Sequence, residues 1–216
     1  LAELIALIVK DLRAEFRASY AVLSAFVFAL SSVFLAAVPL SGIVTPLMLS
    51  MLFWVVLFFS VSQFLARLFV REIEEGTFLL LRQRYSPDAV FAAKTAINAA
   101  VSCAVCAFVL LLFFVFFRTE SFTFVRFVPM AFTGSVSLAC ALSLGGALCA
   151  MSDGRGGLFT VISIPAAFPV LLFSINEGTG VLSGSISCAD AVIFGLAYGA
   201  CLFCASVFLF RFLWRE

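Results

Sequence analysis

The chain has 216 residues, of which 64% are hydrophobic and 12% are charged, with a formal net charge of +1. A soluble domain draws roughly 25% of its residues from Asp, Glu, Lys and Arg to cover its surface. This charge content, with 28 phenylalanines and a mean hydropathy of +1.22, excludes a water-soluble globule; the net charge by itself says nothing about nucleic acid, and no nucleic-acid partner is expected.

Residues 1–19 read as an interfacial helix. Leu1, Leu4, Ile5, Ile8, Leu12 and Phe16 share one face of a helical wheel, with Lys10, Arg13 and Arg17 opposite. The apolar run that follows is of spanning length, so the start reads as a surface helix leading into a span rather than a cleavable leader. About six transmembrane helices are expected, over 20–40, 47–66, 91–117, 127–150, 158–175 and 190–213, each near the ~20 residues that cross the hydrocarbon. The fold class is therefore all-α and polytopic, with 1–216 forming a single transmembrane domain.

Orientation follows from the loops. With the N-terminus in the cytoplasm, Lys10, Arg13, Arg17, Arg67, Arg71, Arg82, Arg84, Lys94, Arg155, Arg211 and Arg215 lie inside. Only Arg118 and Arg126 lie outside. An even number of spans returns the C-terminus to the cytoplasm, in keeping with the positive-inside bias. The short loops are 41–46 and 176–189 outside, and a glycine-rich turn over 151–157 inside, which carries Asp153, Arg155, Gly156 and Gly157.

The spans carry no ionisable residue in their central parts, so neither an ion-coupled transporter nor a charged-ring channel is indicated. Without histidine the chain lacks the commonest metal ligand, the usual general base and a His ligand for haem. The P-loop pattern is absent, so any ATP hydrolysis belongs to a separate polypeptide and no enzyme is expected here. Cys103/Cys106 and Cys201/Cys204 form two Cys-x-x-Cys pairs at membrane depth. They could make a soft-metal site if their helices met on those faces; small packing residues is the simpler reading, and no metal site is assigned.

Pro165 and Pro169 each remove a backbone donor from the fifth span and should bend it, as a static kink or as a hinge. Ser137, Ala141, Gly145 and Cys149 make a small-residue stripe in the fourth span, and Ala191, Gly195 and Gly199 make another in the sixth. Such stripes let backbones approach closely, within one subunit or at the seam of a homodimer.

The cytoplasmic stretch 67–94 carries the most information. Arg67, Arg71 and Glu75 are spaced for one helical face. Glu72, Glu74 and Glu75 form an acidic knot that Gly76 can close. Thr77 and the apolar run from Phe78 to Leu81 follow. The run either rests on lipid headgroups beside Arg82 and Arg84 or docks into a partner's groove.

This stretch resembles the cytoplasmic signature of ABC-2-type permeases. More narrowly it is similar to the haem-exporter permease of cytochrome c maturation, the B subunit (CcmB). The resemblance rests on Arg67-Leu68-Phe69, Glu72, Glu75-Gly76-Thr77 and Ala93-Lys94, on Asp11-Leu12-Arg13 with Phe16-Arg17, and on Arg155-Gly156-Gly157 leading to Pro165 and Pro169. At Leu79 the chain is apolar where these permeases often carry an acid. The resemblance implies the permease subunit of an ABC-type complex in the bacterial inner membrane, with a separate ATPase and further cytochrome c maturation proteins as partners. It implies haem as a transported or handled ligand rather than a resident cofactor, through export or through ATP-driven release of a haem-delivery complex. Arg67, Arg71, Glu72, Glu74, Glu75, Gly76, Thr77 and Phe78 are then the ATPase-docking candidates, within a coupling segment over 67–90. A permease for lipid or polysaccharide, and a non-transporting assembly factor, are the alternatives.

Overall fold

The computed structural model describes the backbone of residues 7, 20–40, 44–74, 85–117, 121–151 and 156–213, and the side chains of 7, 22–40, 44–64, 85–117, 124–147 and 164–211. Among the described residues, long helices follow one another in chain order: α1 (Tyr20–Ala37), α2 (Pro46–Glu74), α3 (Pro87–Phe117), α4 (Ser121–Met151), α5 (Gly156–Ser183) and α6 (Cys188–Leu213). No strand is found among them. Five contain a stretch long and apolar enough to cross a membrane: Pro46–Phe64, Pro87–Phe117, Phe124–Ala147, Ile164–Ser183 and Cys188–Arg211. α1 supplies a shorter apolar helix, Val22–Ala37. The chain is an all-α, multi-pass membrane protein.

Local sequence explains the helix ends. α1 stops two residues before Pro39, because proline brings no N–H donor and pushes the preceding residue out of the helical region; the span expected to reach residue 40 closes at Ala37. α2 and α3 open alike, on a hydroxyl cap followed by proline. The Met48 amide donates to Thr45 Oγ1 at 3.3 Å ahead of Pro46, and the Ala89 amide to Ser86 Oγ at 3.4 Å ahead of Pro87. Proline at the first helical position loses nothing, because its missing donor would have had no partner there. α6 is capped by Ser187, whose Oγ accepts from the Ala189 amide at 3.3 Å.

α5 runs further than its sequence suggests. Asn176, Glu177, Gly178 and Gly180 read as loop, yet the helix continues to Ser183. It closes in a Schellman motif: the Ser185 amide donates to the Gly180 carbonyl at 2.9 Å and the Gly184 amide to Val181 at 3.2 Å. Gly184 takes the left-handed conformation this requires, with φ of 77°.

α4 lies at the centre and packs against α2, α3, α5 and α6, while α1 leans on α2 and α3. Accordingly 67% of the α4 span is buried, against 17% of the α6 span. The core is largely aromatic. Phe53 sits edge-on to Trp54, Phe113 and Phe127 with ring centroids 5.3, 5.5 and 5.0 Å apart, the arrangement that ring quadrupoles favour. Large apolar residues such as Leu35 and Phe208, 75% and 76% exposed, cover the outside, where lipid is their solvent. Of the expected interfacial helix, Leu7 is helical and buried; the rest of that expectation lies outside the described residues.

Candidate functional site

The stretch singled out from sequence begins on α2. That helix has 29 residues, about 44 Å at 1.5 Å per residue, whereas the hydrocarbon core is about 30 Å thick. Its apolar span ends at Phe64, and the helix continues without a break through Arg67, Arg71, Glu72 and Glu74. A charged rod therefore extends beyond the apolar part. The side chains of those four residues, and Glu75, Gly76, Thr77 and Phe78 altogether, lie outside the described residues, as does the expected Arg71–Glu75 pair.

Tyr85 leads into α3 through the Ser86–Pro87 cap. In the first turn of α3, Asp88 accepts from Arg211 of α6 in a two-pronged pair. Arg211 Nε lies 2.6 Å from Oδ1 and Nη2 lies 2.5 Å from Oδ2. Each charge also suits its helix end, an anion at the N-terminus of α3 and a cation in the last turn of α6. Behind the pair, Phe91 packs on Phe210 and Phe203, at centroid distances of 5.1 and 6.2 Å. The N-terminal end of α3 is thus tied to α6.

Two turns further on, Asn98 is fully buried and binds α4. Its Nδ2 donates to the Ala139 carbonyl at 2.7 Å and to Ser143 Oγ at 2.8 Å, while Ser143 Oγ donates to the same carbonyl at 2.8 Å. Lys94 is buried on the same helix. On the far side of α4, Gly195 and Gly199 of α6 press on Thr133 and Ser137, whose hydroxyl donates to the Gly195 carbonyl at 2.8 Å. This close approach occurs within one chain. Gly145 is buried on α4.

α2 is locked in turn. Trp54 is fully buried, and its six-membered ring lies directly over Gly134 of α4. Gly178 of α5 backs the indole nitrogen, and Ser50 Oγ donates to the Ile175 carbonyl of α5 at 3.0 Å. Helix α5 stays continuous through Pro165 and Pro169, both exposed. Gly156 and Gly157 open α5 instead of forming a turn. Asp153 and Arg155 lie outside the described residues.

Sequence reading missed Glu177, assigned to a loop but carried on α5 within the span Ile164–Ser183, with its Oε2 enclosed and unpartnered. It also missed the Asp88–Arg211 pair. Charges at matching helix ends were its only local trace. The two Cys-x-x-Cys motifs do not converge: Cys106 is buried, whereas Cys201 and Cys204 are exposed. No group of three metal-ligating side chains occurs among the described residues. A cavity between α4, α5 and α6, lined by Thr133, Ser137, Ser174 and Tyr198 among others, measures about 10 Å³. That is room for about one water, well below the roughly 300–1,000 Å³ of a small-molecule site.

The sequence model of the family described as CcmB protein matches residues 2–212. No curated protein matches the chain.

Proposed function

Since the chain belongs to the CcmB protein family, membrane permease components of ABC systems for cytochrome c maturation, we propose that it is the lever on which a separate ATPase subunit acts. The ATPase docks at Arg67, Arg71, Glu72, Glu74, Glu75, Gly76, Thr77 and Phe78, on the cytoplasmic side of a bacterial inner membrane, and both chain ends lie on that side. The observation that carries this reading is the unbroken run of α2 from its apolar span to Glu74. A rod that leaves the membrane as a continuous helix passes a push at its tip to Trp54, and so to α4 and α5.

The coupling segment over 67–90 ends on α3, which is joined to α4 by Asn98 and to α6 by Asp88. Closure of the ATPase would therefore displace α2 and α3 together. Further cytochrome c maturation proteins in the membrane receive that motion.

Of the two forms this work could take, release of a haem-delivery complex is favoured over passage of haem through this subunit. The absence of histidine from the chain, which removes the commonest haem ligand, supports that choice. Charge reversal at Glu72 and Glu75, or Phe78→Asp, is expected to abolish co-purification of the ATPase in mild detergent while the permease still folds. Unchanged co-purification refutes the docking assignment.

A further inference from the structure

Proline inside a helix frees a carbonyl, and hydrocarbon offers that carbonyl no donor. Helix α5 holds two such residues, Pro165 and Pro169, and still runs unbroken from Gly156 to Ser183. Neither proline has the N–H that would have bonded the carbonyl four residues back. The carbonyls of Val161 and Pro165 therefore lose their helical donors. In membrane helices such a group is taken up by a Ser or Thr side chain, or by a neighbouring helix. The sequence closes the first route. A hydroxyl reaches back to the carbonyl three or four residues earlier. Those positions hold Ile164 and Pro165 behind Val161, and Phe168 and Pro169 behind Pro165. None of these side chains donates a hydrogen bond.

Packing closes the second route. The side of α5 that meets α2 and α4 carries Ala167, Val170, Ser174 and Val181, all buried. Pro165 and Pro169 lie on the opposite side and are exposed, beside the exposed Ile164 and Phe168. Among the described residues, no backbone or side-chain donor from another helix bonds the Pro165 carbonyl. The same face continues outward. Pro165, Pro169, Leu172 and Asn176 follow one another at helical spacing, and all four are exposed. Asn176 lies within the span Ile164–Ser183. Its amide therefore sits in the same row, about 16 Å along the helix from Pro165. A row of polar groups on the outside of a membrane helix is a cost unless a protein covers it.

The chemistry of the row selects the cover. It offers two backbone carbonyls and the Asn176 side-chain oxygen as acceptors, against a single amide nitrogen as donor. Lipid tails supply no donors. A second copy laid α5 against α5 about a two-fold axis sets each carbonyl against its twin. Two acceptors cannot pair, so that arrangement matches only the Asn176 amides. The complement is a helix that brings donors of its own: hydroxyl, indole N–H or guanidinium.

We propose that the face of α5 formed by Pro165, Pro169, Leu172 and Asn176 seats a membrane-spanning helix of a different protein, one that directs Ser, Thr, Trp or Arg side chains at the freed carbonyls. This names the surface that meets the further membrane partners of the proposed function, and it rests on that reading for their existence. The ATPase docking segment on α2 has no part in it.

Photo-crosslinking in native membranes tests the proposal. Leu172→p-benzoylphenylalanine places the probe between Pro169 and Asn176 in an otherwise unaltered chain. The expected product joins this chain to another polypeptide, with mass spectrometry placing the link in a membrane-spanning segment that has a Ser, Thr, Trp or Arg within one turn. No adduct, an adduct to lipid alone, or one made of two copies of this chain overturns the proposal. Pro169→Ala then returns a backbone donor to the Pro165 carbonyl. The adduct yield should fall about threefold, the worth of an average interhelical hydrogen bond. The melting temperature of the purified chain should rise, because alanine suits a helix interior. Asn176→Leu should lower the yield in the same way, and an unchanged yield in both variants overturns the proposal. ATPase co-purification is followed in the same membranes. Its loss with the adduct intact refutes the docking at 67–78, whereas loss of the adduct with the ATPase retained leaves that docking standing and refutes the α5 surface.

Discussion

Adding one methyl group at Gly134 probes the lock between α2 and α4. A Cβ there would fall within the edge of the Trp54 ring, on top of Cη2, and 2.9 Å from Cζ2 and 3.2 Å from Cζ3, where carbon atoms prefer about 3.5–4.0 Å. The indole cannot swing aside. Gly178 of α5 closes its other side, with a Cβ position 3.4 Å from the indole nitrogen, and Phe53 stands edge-on to it. Overpacking of this kind costs about 1–3 kcal/mol, and with the ring held on both sides Gly134→Ala should fall near 2–3 kcal/mol. That is about 30- to 150-fold in the folding equilibrium. Trp54→Phe shortens the ring and vacates the Cη2 position, so in that background the same methyl should cost nothing or stabilise. The expected coupling in the double-mutant cycle is about 2 kcal/mol, within the range for residues in contact. Unfolding in mixed detergent micelles, followed by far-UV circular dichroism, measures it. Fluorescence would not serve, because the chain has two tryptophans and the cycle removes one. If Gly134→Ala costs the same in both backgrounds, the ring and the glycine are not in contact and the lock does not exist.

Asn98→Ala loses both bonds to α4 and should destabilise by about 1–2 kcal/mol, since single interhelical bonds in membranes average about 0.6 kcal/mol and reach about 1.7. Ser143→Ala should cost less, because the Ala139 carbonyl keeps the Asn98 donor; thermal melts that reverse this order would contradict the arrangement. Asp88→Asn should cost below ~1 kcal/mol, because the pair is exposed, at 41% for Asp88 and 57% for Arg211. That small difference should vanish in 1 M salt, and a large salt-independent loss would show that the pair does more than tie two helix ends. Gly184→Ala should cost about 1–2 kcal/mol through its φ of 77° alone, since nothing lies within 4 Å of a Cβ there. Gly184→Asn should cost less, and equal losses for both variants would point to a steric origin.

Composition alone determined that this protein lives in lipid, because no arrangement of so few charges could cover a soluble surface. Local sequence also determined much of the helix punctuation: Thr45-Pro46, Ser86-Pro87 and Pro39 act on their own neighbours, so they work the same way whatever the fold. The continuation of the second span as a helix carrying Arg67, Arg71, Glu72 and Glu74 was legible too, and α2 does run to Glu74; the side chains of those residues lie outside the described residues.

Other features needed the tertiary structure. The stripe of Gly195 and Gly199 says that some helix comes close, and only the packing makes that helix α4 of the same chain. Asn176–Gly180 has the composition of a loop, because helix propensity counts glycine as a breaker. It is helical because Gly178 fits beneath Trp54 and Ser50, contacts that the local sequence does not encode. Asp88 and Arg211 are 123 residues apart, and their pairing follows from how α3 and α6 meet. The same holds for Asn98, an ordinary polar residue in an apolar run until α4 presents the Ala139 carbonyl and the Ser143 hydroxyl to it.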